Sequence, residues 1–248
     1  MRRTLIEARR YWFDTAAGVV SIYGFFVIIF LGAKLFGGNT PGFGDTLSGV
    51  VVSYALWALV IFSLGAVTFE LIQEAQLGTL EQLGMSAFGL PRVLVARALT
   101  GLVVQVTIVA GLLTVMMATT GRWLNIDLVS IVPLLAVTLL GIIGFGFVLG
   151  GLAIVFKRVQ QPLQIFQVVV IALVIAPVGT WTWVKFMPLA WGAHLIKQVM
   201  VDENRIFDMV GTDLLFLLAH SFVYFTGGLA VFKYFEHTAR DRALLGHY

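Results

Sequence analysis

Cysteine is absent from this 248-residue chain, which excludes disulfides, thiolate metal sites and cysteine nucleophiles. Charge is scarce: 12% of the residues are Asp, Glu, Lys or Arg, against about 25% in a soluble domain. With 59% of the residues hydrophobic, too little polar surface remains to cover a water-facing globule, so lipid is the natural solvent. No G-x-x-x-x-G-K-[ST] sequence occurs, so no P-loop here cradles nucleotide phosphates. No H-E-x-x-H or clustered His–carboxylate pattern points to a metal enzyme. The formal net charge of +3 is modest, and the basic residues lie between apolar blocks instead of forming the single patch that nucleic acid would require. The start of the chain does not read as a signal peptide, because its charged stretch from Arg2 to Asp14 is long and no small-residue cleavage pattern follows.

What the chain has instead is a series of long apolar runs. Residues 16–35 carry one charge, Lys34, at their far end. Twenty helical residues span roughly 30 Å, the thickness of the hydrocarbon core. Similar runs occupy 47–69, 93–118, 128–156, 166–184 and 214–235. None alternates with a period of two, which argues against a β-barrel. The expectation is an all-α polytopic membrane protein with about six transmembrane helices, forming one domain over 1–248. If the N-terminus is cytoplasmic, the inner segments hold Arg2, Arg3, Arg9, Arg10, Arg92, Arg97, Lys157, Arg158, Lys233, Arg240 and Arg242. The outer ones hold Lys34, Arg122, Lys185, Lys197 and Arg205. That asymmetry places both termini inside, in a cell inner (plasma) membrane. Tyr11, Trp12 and Tyr234 fall at inner boundaries, and Trp123, Trp181 and Trp183 at outer ones. Gly141, Gly144, Gly146, Gly150 and Gly151 put small residues along the fourth run, as close helix packing in lipid requires.

Three segments outside the spans are patterned. Over 1–15, Leu5, Ile6, Trp12 and Phe13 fall on one helical face and Arg3, Glu7, Arg10 and Asp14 on the other, predicting an interfacial amphipathic helix. The cytoplasmic loop 70–90 contains Gly78, which interrupts one helical pattern, and Thr79, which starts another. Thr79 and Gln82 have the spacing of a capping box, and Glu81 complements the helix dipole. The spacing predicts a short capped helix from Leu80 to Ser86, suited to docking on a cytoplasmic partner. In the outer hairpin 185–205, Pro188 can open a helix, and Leu189, Ile196 and Met200 repeat on one face to about Val201. That helix would dip into the outer leaflet or cap a pathway.

The stretch Glu74-Ala-Gln-Leu-Gly78-Thr79-Leu80-Glu81-Gln82-Leu83 resembles the cytoplasmic loop of ABC-2 type transporter permeases, the transmembrane subunits of ABC transporters. Met187-Pro188-Leu189-Ala190-Trp191-Gly192 through Lys197 resembles the segment between that family's fifth and sixth spans. Leu149-Gly150-Gly151-Leu152-Ala153 through Lys157-Arg158 resembles the end of its fourth. Ala75, Gln76 and Leu77 stand where the family's loop is usually rich in Arg, and Ala87 where a Pro is common. The resemblance implies a permease that pairs with a second copy, or a related permease, and with two copies of a cytoplasmic ABC ATPase. The ATPase would bind the ATP and Mg, leaving this chain without a catalytic, cofactor or metal site. Gly78, Thr79, Leu80, Glu81, Gln82 and Leu83 would then form the coupling helix that contacts the ATPase. The substrate-facing helices would be the second and fifth, which makes Tyr54, Trp57, Gln164 and Gln167 candidates for the path. Export of an amphipathic, lipid-like, drug or glycan substrate follows by the same analogy.

Two other classes compete. An ion-coupled secondary transporter places ionisable groups at the midplane. The spans contain Gln105, Gln164 and Gln167, which do not titrate, and His220, with Asp213 seven residues earlier on the same face. Interhelical hydrogen bonding is the expected role of His220. An intramembrane transferase could recruit His194, Asp202, Glu203 and Asp208, but nothing in the sequence supplies a nucleophile–base spacing; a polar outer surface explains them.

Overall fold

A span in lipid must satisfy its backbone internally, so each apolar run is expected to be helical from end to end. A computed structural model describes residues 12–37, 43–76, 90–155, 160–175 and 182–241, and all of its regular structure is helical. The helices are α1 (Trp12–Gly37), α2 (Phe43–Gln76), α3 (Leu90–Thr120), α4 (Leu128–Val155), α5 (Gln160–Ile175), α6 (Ala190–Met200) and α7 (Gly211–Asp241). Short 3-10 turns occupy Thr182–Phe186 and Ile206–Asp208. Among the described residues, five helices are long and apolar enough to cross a membrane, within α1, α2, α3, α4 and α7. The chain is therefore a multi-pass membrane protein.

The expected fifth span, 166–184, is described in two parts: helix α5 begins six residues earlier, at Gln160, and is described to Ile175, and Thr182–Phe186 is a 3-10 turn. The second helix continues through Gln76, so the first seven residues of the expected loop 70–90 end α2. Of the expected interfacial helix over 1–15, residues 12–15 are the first residues of α1, continuous with the span, and the rest lies outside the described residues, as does the capped turn at Gly78–Leu83.

Burial ranks the spans in a way composition does not. Two-thirds (67%) of the α2 window is buried, against 11% for α1 and 17% for α7. On α2, Val51, Val52, Ala55, Leu59 and Val60 are all covered, making α2 the helix the others pack around. α1 meets it through Phe26, whose ring centroid is 5.3 Å from that of Tyr54. α3 is tied to it by a polar link: Gln105 Nε2 donates to the Phe62 carbonyl (3.1 Å), and Ser63 Oγ donates to Gln105 Oε1 (3.3 Å). In lipid such a link helps where apolar contact alone gives helices little preference for one another.

α4 opens on an N-cap. Asp127 Oδ1 accepts the Val129 amide (3.2 Å), and Asp127 Oδ2 accepts the Ser130 hydroxyl (2.5 Å). Pro133 stands at the sixth helical residue, and the helix runs on through it. The glycines of α4 meet α7. A Cβ on Gly141 would lie 3.3 Å from Ser221, one on Gly144 would lie 2.3 Å from the Tyr224 carbonyl oxygen, and one on Gly151 would lie 2.9 Å from Phe235. Contacts that advance together along both helices mean that α4 and α7 run parallel. Phe147 seals the seam edge-on to Phe232, with centroids 5.5 Å apart.

Candidate functional site

The chain between the parallel helices α4 and α7 builds the part of the molecule richest in polar contacts. α5 is followed by the 3-10 turn Thr182–Phe186, a bend at Met187–Leu189, and α6. The sequence expectation of a helix from Pro188 to about Val201 is met by α6, Ala190–Met200, which is buried along most of its length. Its far end lies with the α3–α4 connection, where the Asn125 amide donates to the Met200 carbonyl (3.1 Å). The Ile206 amide donates to Ser130 Oγ (2.9 Å), so the Ile206–Asp208 turn shares the level of the α4 N-terminus.

The bend lies much deeper. Gly192 is pressed onto Thr138, where a Cβ would sit 2.0 Å from the hydroxyl oxygen. Thr138 is ten residues into α4, about 15 Å along its axis. Pro188 and Leu189 border an apolar crevice with Val60 and Leu64 of α2, Ile142 and Phe145 of α4, and Phe166 and Val170 of α5. Ile142 is about 21 Å from the start of α4. Leu189 holds φ 80°, ψ −39° while buried, a backbone conformation that L residues adopt only under constraint. The crevice holds about 200 Å³ with its open mouth included.

Side chains that donate to backbone carbonyls fasten this hairpin. His220 Nε2 and Tyr224 Oη each lie 2.9 Å from the Phe186 carbonyl oxygen. Trp191 Nε1 donates to the Asp213 carbonyl (3.1 Å), and the Lys185 ammonium sits 4.8 Å above the Trp191 ring. Phe216 stands edge-on to both Phe186 (5.6 Å) and Trp191 (5.9 Å), then stacks on His220 (5.6 Å). The sequence expectation for His220 is a bond to a neighbouring helix; its partner is instead a backbone carbonyl at the end of the hairpin's 3-10 turn.

Lys197 Nζ donates to the Val174 carbonyl (2.5 Å) in the last turn of α5, where helix carbonyls lack intrahelical donors. Burial pushes its ammonium down from the ordinary 10.5 to about 8. Between these two values the unfolded chain binds more protons than the folded one, so stability should rise as pH climbs from about 8 to about 10.5. Lys197→Met should flatten that rise in thermal unfolding curves, and a variant keeping the full slope would place the titrating group elsewhere. Desolvation lowers the neighbouring His194, and Lys197 adds to the effect. Asp202, Glu203 and Asp208 are exposed. Among the described residues, no group of three or more His, Asp or Glu side chains gathers as a metal site.

The four path candidates fall into two pairs, one on α2 and one on α5. Tyr54 is buried at the α1–α2 seam, where its hydroxyl donates to the Ile22 carbonyl (2.6 Å). Trp57 is half-buried with its ring 5.1 Å from Tyr54, and its indole N–H is buried without an acceptor among the described residues. On α5, Gln164 is exposed and Gln167 half-buried. Sequence reasoning missed the crevice, since its lining is wholly apolar and marked by no motif. It also missed Tyr224 and Trp191 as anchors; their only sequence signal is a polar atom on an otherwise apolar helix. Compared with known proteins, the chain matches no family model and no curated protein.

Proposed function

We propose that this chain is the permease subunit of an ATP-driven transporter of the ABC-2 type, exporting an amphipathic, lipid-like, drug or glycan substrate. The observation that carries the reading is the Gly78-Thr79-Leu80-Glu81-Gln82-Leu83 motif in the connection between α2 and α3. Two features of the fold agree with it. Because α4 and α7 run parallel, the chain from 156 to 210 must cross back, and α5 is the longest described helix in that stretch, at 16 residues. Counting α5 gives six crossings and puts both termini on one side. The excess of Lys and Arg on that side makes it the cytoplasmic face of an inner membrane.

The hairpin before the last helix is the second feature. Its bend lies near the middle of a core roughly 30 Å thick, so it is a re-entrant element entering from the outer face. In this reading the pathway forms along α2 and α5, where the unpaired Trp57 N–H and the two glutamines supply polar groups. Two permease chains would face each other, with closure of two ATPase subunits on ATP reaching the spans through the coupling helix. His220 bonds a backbone carbonyl and stacks on aromatic rings, as a structural group does and a proton relay does not.

Tagged full-length chain purified in mild detergent tests the proposal. A P-loop ATPase should co-purify in equal amount, and ATP with Mg should change the permease conformation. Transport by ATPase-free vesicles under a proton or sodium gradient would replace this reading with secondary transport.

A further inference from the structure

We propose that His220 and Tyr224 are positioning residues, forming a two-donor clamp that fastens the hairpin to α7 through the Phe186 carbonyl. The functional meaning, a hairpin carried by the last span during transport, rests on the transporter reading; the clamp itself does not.

Phe186 is the last residue of its 3-10 turn, so no continuing helix supplies a donor to its carbonyl. The neighbouring backbone bonds go elsewhere, from the Met187 amide to Val184 and from the Ala193 amide to Leu189. His220 and Tyr224 are nine and thirteen residues past Gly211, about 13 and 20 Å along α7. Irregular backbone at that depth persists only where protein groups or water satisfy it. A carbonyl oxygen has two lone pairs, and here two side chains at 2.9 Å fill both. The donors are four residues apart, hence on one face of α7, with Phe216 one turn earlier completing the stripe. His220 lies between the Phe216 ring and the Tyr224 ring, whose centroid is 4.8 Å away.

Two consequences follow from the chemistry of the acceptor. A carbonyl only accepts, so the His220 proton must sit on Nε2, which fixes the tautomer. The second consequence is mechanical. α7 is locked to α4 beside Tyr224, since Gly144 and Gly228 approach too closely there to admit a Cβ. Through the clamp the hairpin is fastened to α7, while its tip borders the crevice with α2, α4 and α5 and Lys197 bonds it to the end of α5. During a transport cycle the hairpin would not swing free of α7 as a lid.

The test uses the full chain in lipid nanodiscs. His220→Phe and Tyr224→Phe should each raise amide exchange over residues 184–195 about tenfold, the factor for losing one such bond, and the double variant should raise it further. His220→Gln, which keeps an N–H near the Nε2 position, should restore protection. Nitrogen-15 spectra of the ring, assigned by the signal missing in His220→Gln, should show Nε2 protonated and Nδ1 bare. A double variant exchanging at the parental rate would overturn the clamp. So would an Nδ1–H tautomer in the parent, a measurement that still decides if the double variant fails to fold. Absence of a co-purifying ATPase would sink the transporter reading and leave all these readouts unchanged.

Discussion

Gly144→Val should abolish the folded, monodisperse chain, whereas Gly227→Ala should leave it intact or slightly more stable. A Cβ on Gly144 would fall 2.3 Å from the Tyr224 carbonyl oxygen and 2.4 Å from Phe225 Cα, and one on Gly228 would fall 1.9 Å from the Gly144 carbonyl oxygen. These are backbone atoms of rigid helices, so no side-chain rotation relieves the overlap. Overpacking a well-filled core typically costs about 1–3 kcal/mol, and a clash with backbone belongs at or above that range. The loss would spread, because His220 and Tyr224 flank the crossing and hold the hairpin. Gly227, one residue away, has nothing within 4 Å of its Cβ position, and Ala in its place gains about 1 kcal/mol of helix propensity. Size exclusion and thermal unfolding in one detergent would separate the two outcomes. A Gly144→Val protein melting at the parental temperature would mean that the α4–α7 crossing is not this close.

The second large effect is expected in the connection between α2 and α3. Leu80→Asp combined with Leu83→Asp should leave insertion and permease pairing intact while removing ATPase association and transport. Thr79 and Gln82 supply the capping box of the proposed coupling helix, and Leu80 and Leu83 its apolar side. A carboxylate buried unpaired in a docking groove costs several kcal/mol, on the order of a thousandfold in affinity. Thr79→Ala should be milder, at about 0.5–2 kcal/mol. The measurements are co-purified ATPase per permease and transport-stimulated ATP hydrolysis. A double variant retaining both would remove this segment from the mechanism.

How much of this was legible in the sequence depended on range. The outer hairpin helix was, because Pro188 and the spacing of Leu189, Ile196 and Met200 are local signals, and α6 runs Ala190–Met200. The glycines of the fourth span were legible as packing residues, but not which helix they meet. Of the fifth apolar run, the described parts are α5 to Ile175 and a 3-10 turn from Thr182, so Thr182–Val184 belongs to the hairpin although its composition continues that of the helix. Hydropathy measures compatibility with lipid and does not register that a hairpin buried among other helices is equally apolar. Tyr54 looked like a group available to a substrate, but α1 covers it and the Ile22 carbonyl takes its hydroxyl proton.

The sequence by itself determined that the chain lives in lipid and that it crosses several times as helices. Lipid offers no backbone partners, so each span closes its own hydrogen bonds within neighbouring residues, and that is local information. The tertiary structure decided that α2 is the most buried span, that α4 and α7 cross in parallel at Gly144 and Gly228, and that the hairpin packs against α4 and α7 with Phe186 held by His220 and Tyr224. Those facts turn on which apolar face meets which. Every side chain on these helices is acceptable to lipid, so only close packing and a few buried hydrogen bonds choose among the arrangements.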